Sequence, residues 1–187
     1  MPEKALVLVK PDGVKRALIG RVITKFEEAG LKVVAIKMLK PTAELTGEHY
    51  AADDAWLKSV GEKNIKSNIE KGIKVKETAM EIGNRVRKLL MSSISDEPIV
   101  AIVIEGNAAN EVARKLAGAT EPRKADASSI RGAFGCDSYE SADLGTRPLR
   151  NVVHVSESKE AAEREIKIWF KKNEILDYKR ADQAILY

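Results

Sequence analysis

Apolar side chains recur along this chain in two rhythms, and the switching between them predicts its elements. Residues 5–9 (Ala-Leu-Val-Leu-Val) form an unbroken apolar run, the pattern of a buried strand. Lys10-Pro11-Asp12-Gly13 breaks that run with turn chemistry. Leu18, Ile19, Val22, Ile23 and Phe26 then repeat at helical spacing, and Gly30 closes the segment as a C-terminal cap. Residues 31–39 return to strand character, with Val34, Ile36 and Met38 expected along one face. A short helix is expected over roughly 42–50. Residues 51–97 are charged, with helical periodicity near Ile82, Val86, Leu89 and Leu90, and read as one or two helices joined by loops. Residues 99–104 are the third strand. Asn107 is the expected N-cap of a helix that turns Ala109, Val112, Ala113 and Leu116 inward and ends at Gly118. A long polar loop leads to a fourth strand at 151–155, and Ser158 caps a helix running through Phe170. The tail, 171–187, is expected to be irregular with a short helix.

The order β-α-β-(α)-β-α-β-α predicts an α+β fold: a ferredoxin-like four-stranded antiparallel sheet with helices packed on one face. The charged helical insertion at about 51–97 has too few apolar residues for a second core, so residues 1–187 are expected to form a single domain. Many unrelated functions use this architecture, and the site must decide among them.

Composition narrows the partners. No apolar run approaches the ~20 residues of a membrane span, so no membrane partner is expected. A lone Cys136 agrees with a reducing cytoplasm, the expected location. The net charge of +4 leaves an anionic ligand open. With three Phe, four Tyr and two Trp dispersed along the chain, there is no evident base-stacking platform, and nucleic acid is not the expected partner.

His154 is one of two histidines and lies in an apolar strand. A lone strand histidine is first read as a packed core residue. Glu165, however, falls on the apolar stripe of the next helix, four residues after Ala161 and four before Trp169. A carboxylate there is costly unless paired, and His154 is the natural partner. Holding one imidazole nitrogen would fix the tautomer and free the other as a nucleophile. Lys10 at a strand end, with Arg114 and Arg131, offers cations suited to phosphate, though each signal is weak alone. Arg114 in the last turn of its helix could equally complement the dipole. No P-loop, Rossmann fingerprint, Cys/His metal spacing or Gly-x-Ser-x-Gly elbow is present.

Taken together, Val9-Lys10-Pro11-Asp12-Gly13-Val14, the run Arg114 to Pro122, Ile130-Arg131-Gly132, and Asn151 to Ser158 resemble nucleoside diphosphate kinases, as do Ala162 to Ile166 with Trp169-Phe170. The resemblance implies a ping-pong transfer of the γ-phosphate of an NTP, mainly ATP, to an NDP. In it His154 would accept the phosphoryl group, with Glu165 and Ser156 orienting its ring. Lys10, Arg114, Thr120 and Arg131 would hold phosphates, Asn151 and Lys10 would reach the ribose, and Tyr50 would shape the pocket. Mg2+ would arrive with the nucleotide, without a protein metal site, and a homo-oligomer is implied. Two departures stand out: Ala127-Ser128-Ser129 replaces the family's Pro-Gly-Thr, and 51–97 replaces a shorter segment ending in a base-stacking Phe. Trp56 or Leu57 is a candidate replacement for that Phe. Two other readings share the fold: a binding module that has lost catalysis, and a single-strand nucleic-acid binder.

Overall fold

A computed structural model describes residues 2–50, 52–70 and 72–186; Ala51 and Lys71 of the charged segment lie outside the described residues. The elements are β1 (Glu3–Val9), α1 (Pro11–Lys15), α2 (Ile19–Glu28), β2 (Lys32–Leu39), α3 (Ala43–His49), α4 (Asp54–Glu70) and α5 (Ala79–Ser92). They continue with β3 (Ile99–Gly106), α6 (Ala109–Ala117), α7 (Ile130–Phe134), α8 (Tyr139–Leu144), β4 (Val153–Val155), α9 (Lys159–Trp169) and α10 (Gln183–Leu186). Single 3-10 turns lie at Pro122–Lys124 and Lys172–Glu174. The strands form one sheet in the order β2-β3-β1-β4, each neighbouring pair antiparallel. This is the expected ferredoxin-like arrangement. Among the described residues no helix is long and apolar enough to cross a membrane.

Helices cover both faces of the sheet, where the sequence pattern led us to expect one. Ala5, Val7 and Val9 pack with Val22, Phe26 and Ala113 of α2 and α6. Leu6 and Leu8 pack with Ala162, Ile166 and Trp169 of α9 on the other side. The unbroken apolar runs of β1 and β3 carry the reason: a strand apolar at consecutive positions must be covered twice.

In β2 the expected common face is broken. Val34 is buried, whereas Ile36 and Met38 are 51% and 61% exposed. The register jumps between Val33 and Ala35, so Val34 is an extra residue that reverses the side-chain alternation after it. The C-terminal tail lies along the first half of this edge: Leu176 N donates to Val34 O at 2.8 Å and Tyr178 Oη to Val33 O at 2.8 Å.

Local capping explains several boundaries. Ser158 accepts from Ala161 N, as expected, and Thr78 with Glu81 forms a full capping box on α5. Asn107 does not cap α6; that position belongs to Ala108, in a left-handed conformation with φ 47° and no side-chain bond. The expected polar loop between Gly118 and Asn151 holds α7, α8 and a 3-10 turn. Each is too short to leave a periodic signature, and both helices start on a serine cap, Ser129 and Ser138. At Ala127-Ser128-Ser129, where the resembled family carries Pro-Gly-Thr, Asp126 Oδ1 closes the loop by accepting from Ser128 N at 2.8 Å.

The charged segment folds as a two-helix hairpin. A Cβ at Gly61 would sit 1.9 Å from Ala79 O, and one at Gly83 would sit 2.2 Å from Leu57 O, so only glycine permits this crossing. Leu57 is buried in that contact and is not free to stack on a base. Arg87 of α5 donates to Gly47 O at 3.1 Å and to Tyr50 O, which ties the hairpin to the end of α3.

Candidate functional site

The site is assembled where β4 meets the loop after β1. Lys10 is the residue before α1, with Pro11 at the first helical position, so the segment read as a turn is a short helix. Two atoms of this corner hold the backbone of Val152: Asp12 Oδ2 accepts from Val152 N at 2.9 Å, and Lys10 N donates to Val152 O at 2.8 Å. A Cβ at Gly13 would lie 3.0 Å from Val152 O and 2.9 Å from Val9 Cγ1, so this close approach requires glycine. Val152 has φ +68°, and Val153 N donates to Asn151 O at 2.7 Å. That combination is a γ-turn of the rare, strained hand, centred on a β-branched residue. Such a conformation costs on the order of 1–3 kcal/mol and persists only when its surroundings hold it. It also shortens β4 to three residues from the expected five-residue strand.

His154 follows in β4, paired opposite Leu8, with its side chain 21% exposed. Its Nε2 lies 3.1 Å from Glu165 Oε2, and Ser156 Oγ donates to the same oxygen at 2.7 Å. Ser156 Oγ also accepts from Leu6 N at 3.3 Å. Ser156 therefore orients the carboxylate, and the carboxylate orients the ring. Burial would raise the Glu165 pKa, but the bond and charge of His154, the charge of His49 and the Ser156 hydroxyl outweigh it and hold the group at about 2. An ionised carboxylate only accepts, so the proton of neutral His154 sits on Nε2 and the Nδ1 lone pair is available.

His49 and Tyr50, at the end of α3, line the other side of this ring. The His49 ring meets that of His154 edge to face at 4.6 Å, and the Tyr50 ring lies 6.4 Å away. Trp169 Nε1 donates to His49 Nδ1 at 3.2 Å. Burial first, then the neighbouring His154, lowers the His49 pKa to about 3, so this ring stays neutral. Burial, reinforced by Glu165, pushes the Tyr50 phenol up. His49, Trp169, Asp12 and Val152 were not singled out as functional in the sequence. The scarcity of histidine could have flagged His49, whereas the strain at Val152 left no trace.

The cationic side chains converge around the same strand. Lys10 is 5% exposed and its Nζ donates to Asn151 Oδ1 at 3.0 Å, while Asn151 Nδ2 donates to Thr120 O at 3.0 Å. Arg131 donates from Nη1 to Gly118 O at 2.7 Å and from Nη2 to Val153 O at 3.0 Å. Its Nε is a buried donor with no hydrogen-bond partner among the described residues. Arg114 is exposed and donates to Glu157 O. Burial lowers the Lys10 pKa to about 8, with Asp12 opposing and Arg131 assisting. Burial likewise lowers Arg131 to about 10, with the charge of Arg114 assisting. All nine candidate residues thus lie in one connected region: an imidazole with a lone pair on Nδ1, the exposed Arg114, and two cations, Lys10 and Arg131, that are costly to bury without an anion.

His49, His154 and Glu165 each offer a ligand atom within 4.8 Å of the others. Two imidazoles and one carboxylate suit a borderline-soft ion, whereas Mg2+ demands oxygen donors.

Comparison with known proteins agrees with this geometry. The profile of the nucleoside diphosphate kinase family matches residues 3–72 and 79–175. The nucleoside diphosphate kinase of Pyrobaculum aerophilum is 40% identical over 180 residues, covering 94% of this chain and 98% of the relative. The crystal structure of an NDP kinase from that organism superposes with a TM-score of 0.90 at 38% identity, over 95% of this chain and 100% of the other. A transition-state mimic of the Borrelia burgdorferi nucleoside-diphosphate kinase, with bound vanadate and ADP, gives a TM-score of 0.83 at 39% identity, over 100% of this chain and 97% of that one. The charged hairpin lies within the length these relatives share.

Proposed function

This chain belongs to the nucleoside diphosphate kinase family, and on that premise we propose that His154 carries the phosphoryl group between its substrates. The enzyme transfers the γ-phosphate of an NTP to an NDP. The observation that supports His154 as carrier is its bond to an ionised, buried Glu165, which leaves the lone pair of the partly exposed ring on Nδ1. In the first half-reaction Nδ1 attacks the γ-phosphorus, an N–P bond forms, and the bond to the β–γ bridging oxygen breaks as NDP leaves. The Nε2 proton stays on the ring, and Glu165 stabilises the charge the ring gains. In the second half-reaction a terminal β-phosphate oxygen of another NDP attacks the same phosphorus, and the N–P bond breaks.

The remaining groups position and stabilise. Lys10, Arg131 and Arg114 supply charge-assisted hydrogen bonds to phosphate oxygens as negative charge shifts towards the leaving group. Thr120 adds a hydroxyl to the phosphates, Asn151 with Lys10 reaches the ribose hydroxyls, and Tyr50 walls the pocket beside the ring. Magnesium fits the phosphate oxygens better than the His49–His154–Glu165 donor set, so it arrives with the nucleotide and offsets phosphate charge there. The site of action is the cytoplasm. The chain works as a homo-oligomer, a reading supported by Ile36 and Met38, apolar and exposed on the part of edge strand β2 beyond the tail. Light scattering that returned the mass of one chain would reject the assembly.

The test of the carrier is a chase. Protein incubated with γ-labelled ATP and magnesium should hold one acid-labile, base-stable label per chain, and unlabelled NDP should remove it within one turnover. A label that forms but cannot be chased, or none on active protein, overturns the reading.

Lys10 adds a pH signature. Its charge is lost as pH rises through about 8, so kcat/KM for nucleotide is expected to fall about tenfold per pH unit above that point. Folding stability should move the other way: the lowered pKa means the unfolded chain binds more protons between about 8 and 10.5, so stability rises with pH there. A kcat/KM profile flat to pH 9.5 would show that the Lys10 charge is not used.

A further inference from the structure

The strained turn before the nucleophile needs a reason to persist, and one side chain provides it. Val152 is fully buried and left-handed, at φ +68°. Its own γ-turn bond, Val153 N to Asn151 O, uses neither of its two polar groups. Both are held instead from the corner after β1: the carbonyl by Lys10 N at 2.8 Å, the amide by Asp12 Oδ2 at 2.9 Å. A relaxed Val152 would rotate that amide away from the carboxylate and leave a buried donor unpaired. The residues on either side of the turn are functional: Asn151 bonds Lys10 Nζ and Thr120 O, and Val153 O receives Arg131 Nη2 one residue before His154.

We propose that Asp12 is a positioning residue for phosphoryl transfer: by accepting from the Val152 amide it locks the left-handed turn that sets His154 in register with Lys10, Asn151 and Arg131. The turn works as a corner piece. Asp12 meets no phosphate itself; it fixes where the imidazole stands relative to the cations, and displacement of the reacting atoms by ~1 Å can cost about 100-fold in rate.

This predicts a particular pattern of variants. Asp12→Ala is expected to lower kcat about 30-fold while KM for either nucleotide changes less than about threefold, because the phosphate ligands remain but the nucleophile drifts. Asp12→Asn keeps an acceptor oxygen without the charge and should stay within about threefold of the parent. Val152→Gly removes the conformational penalty of positive φ, so adding it to Asp12→Ala should recover at least about a third of the lost factor on a logarithmic scale. Thermal melts establish which variants are folded; Asp12→Asn carries the test even if the alanine variant is not.

The competing role for Asp12 is electrostatic, through the charge of nearby Lys10. It predicts the opposite pattern: Asp12→Asn as damaged as Asp12→Ala, KM raised rather than kcat lowered, and no recovery from Val152→Gly. That pattern, or full activity in a folded Asp12→Ala, overturns the proposal.

Discussion

Replacing His154 by alanine is expected to lower turnover on the order of 10⁵-fold or more, the loss typical of a removed covalent carrier. Nothing nearby can substitute. His49 is the adjacent imidazole, but it is 2% exposed and its Nδ1 is engaged by Trp169 Nε1 at 3.2 Å. The substitution should spare the fold. His154 is partly exposed, and Glu165 still accepts from Ser156 Oγ at 2.7 Å, so no buried charge is stranded. The check is a coupled assay with ATP and an NDP, beside a thermal melt. Parent-like turnover in the folded variant would reject His154 as the carrier.

Glu165→Gln should reduce kcat about 10²–10³-fold, with a much smaller change in KM. Glutamine preserves shape and removes charge. The amide can donate to Nε2, which then accepts and leaves its proton on Nδ1, the atom that must attack. Even with its oxygen turned to Nε2, a neutral amide stabilises the developing imidazolium less than the carboxylate held at about 2. Glu165 ionises far below neutral pH, so the parent's carboxylate stays charged as pH falls through the ordinary carboxylate range. A Gln variant with parent-like kcat would show that the carboxylate is structural only.

The contacts of Asp12 and Glu165 fall two residues apart, at Val152 and His154. Glu165 reaches His154 from α9 and, as proposed, sets which nitrogen is free, whereas Asp12 reaches Val152 from α1 and, as proposed, sets where that nitrogen stands. Neither role needs contact with substrate. Both rest on a carboxylate held against a donor that the fold supplies, Val152 N for Asp12 and the His154 ring for Glu165.

Much of this was legible along the chain because it rests on local physics. The apolar run of β1, the helical period of α2 and α9, the Ser158 cap and the left-handed Gly30 and Gly118 are properties of neighbouring residues, and all appear in the structure. The His154–Glu165 pair could be inferred because a carboxylate on an apolar stripe demands a partner and a strand leads directly into that stripe. Several failures share one cause. The bulge at Val34, the exposure of Ile36 and Met38 that follows from it, and the left-handed Val152 each involve what a distant segment brings to that point.

The sequence alone therefore gave away the order of the strands and longer helices, the family likeness and the charged and nucleophilic candidates, since these need only spacing and residue chemistry. Only the tertiary structure decided that His49 and Trp169 pack behind His154 and that Asp12 grips a strained turn. Those facts are contacts between residues up to 140 positions apart, as from Asp12 to Val152, and no local rule of propensity or periodicity reaches that far.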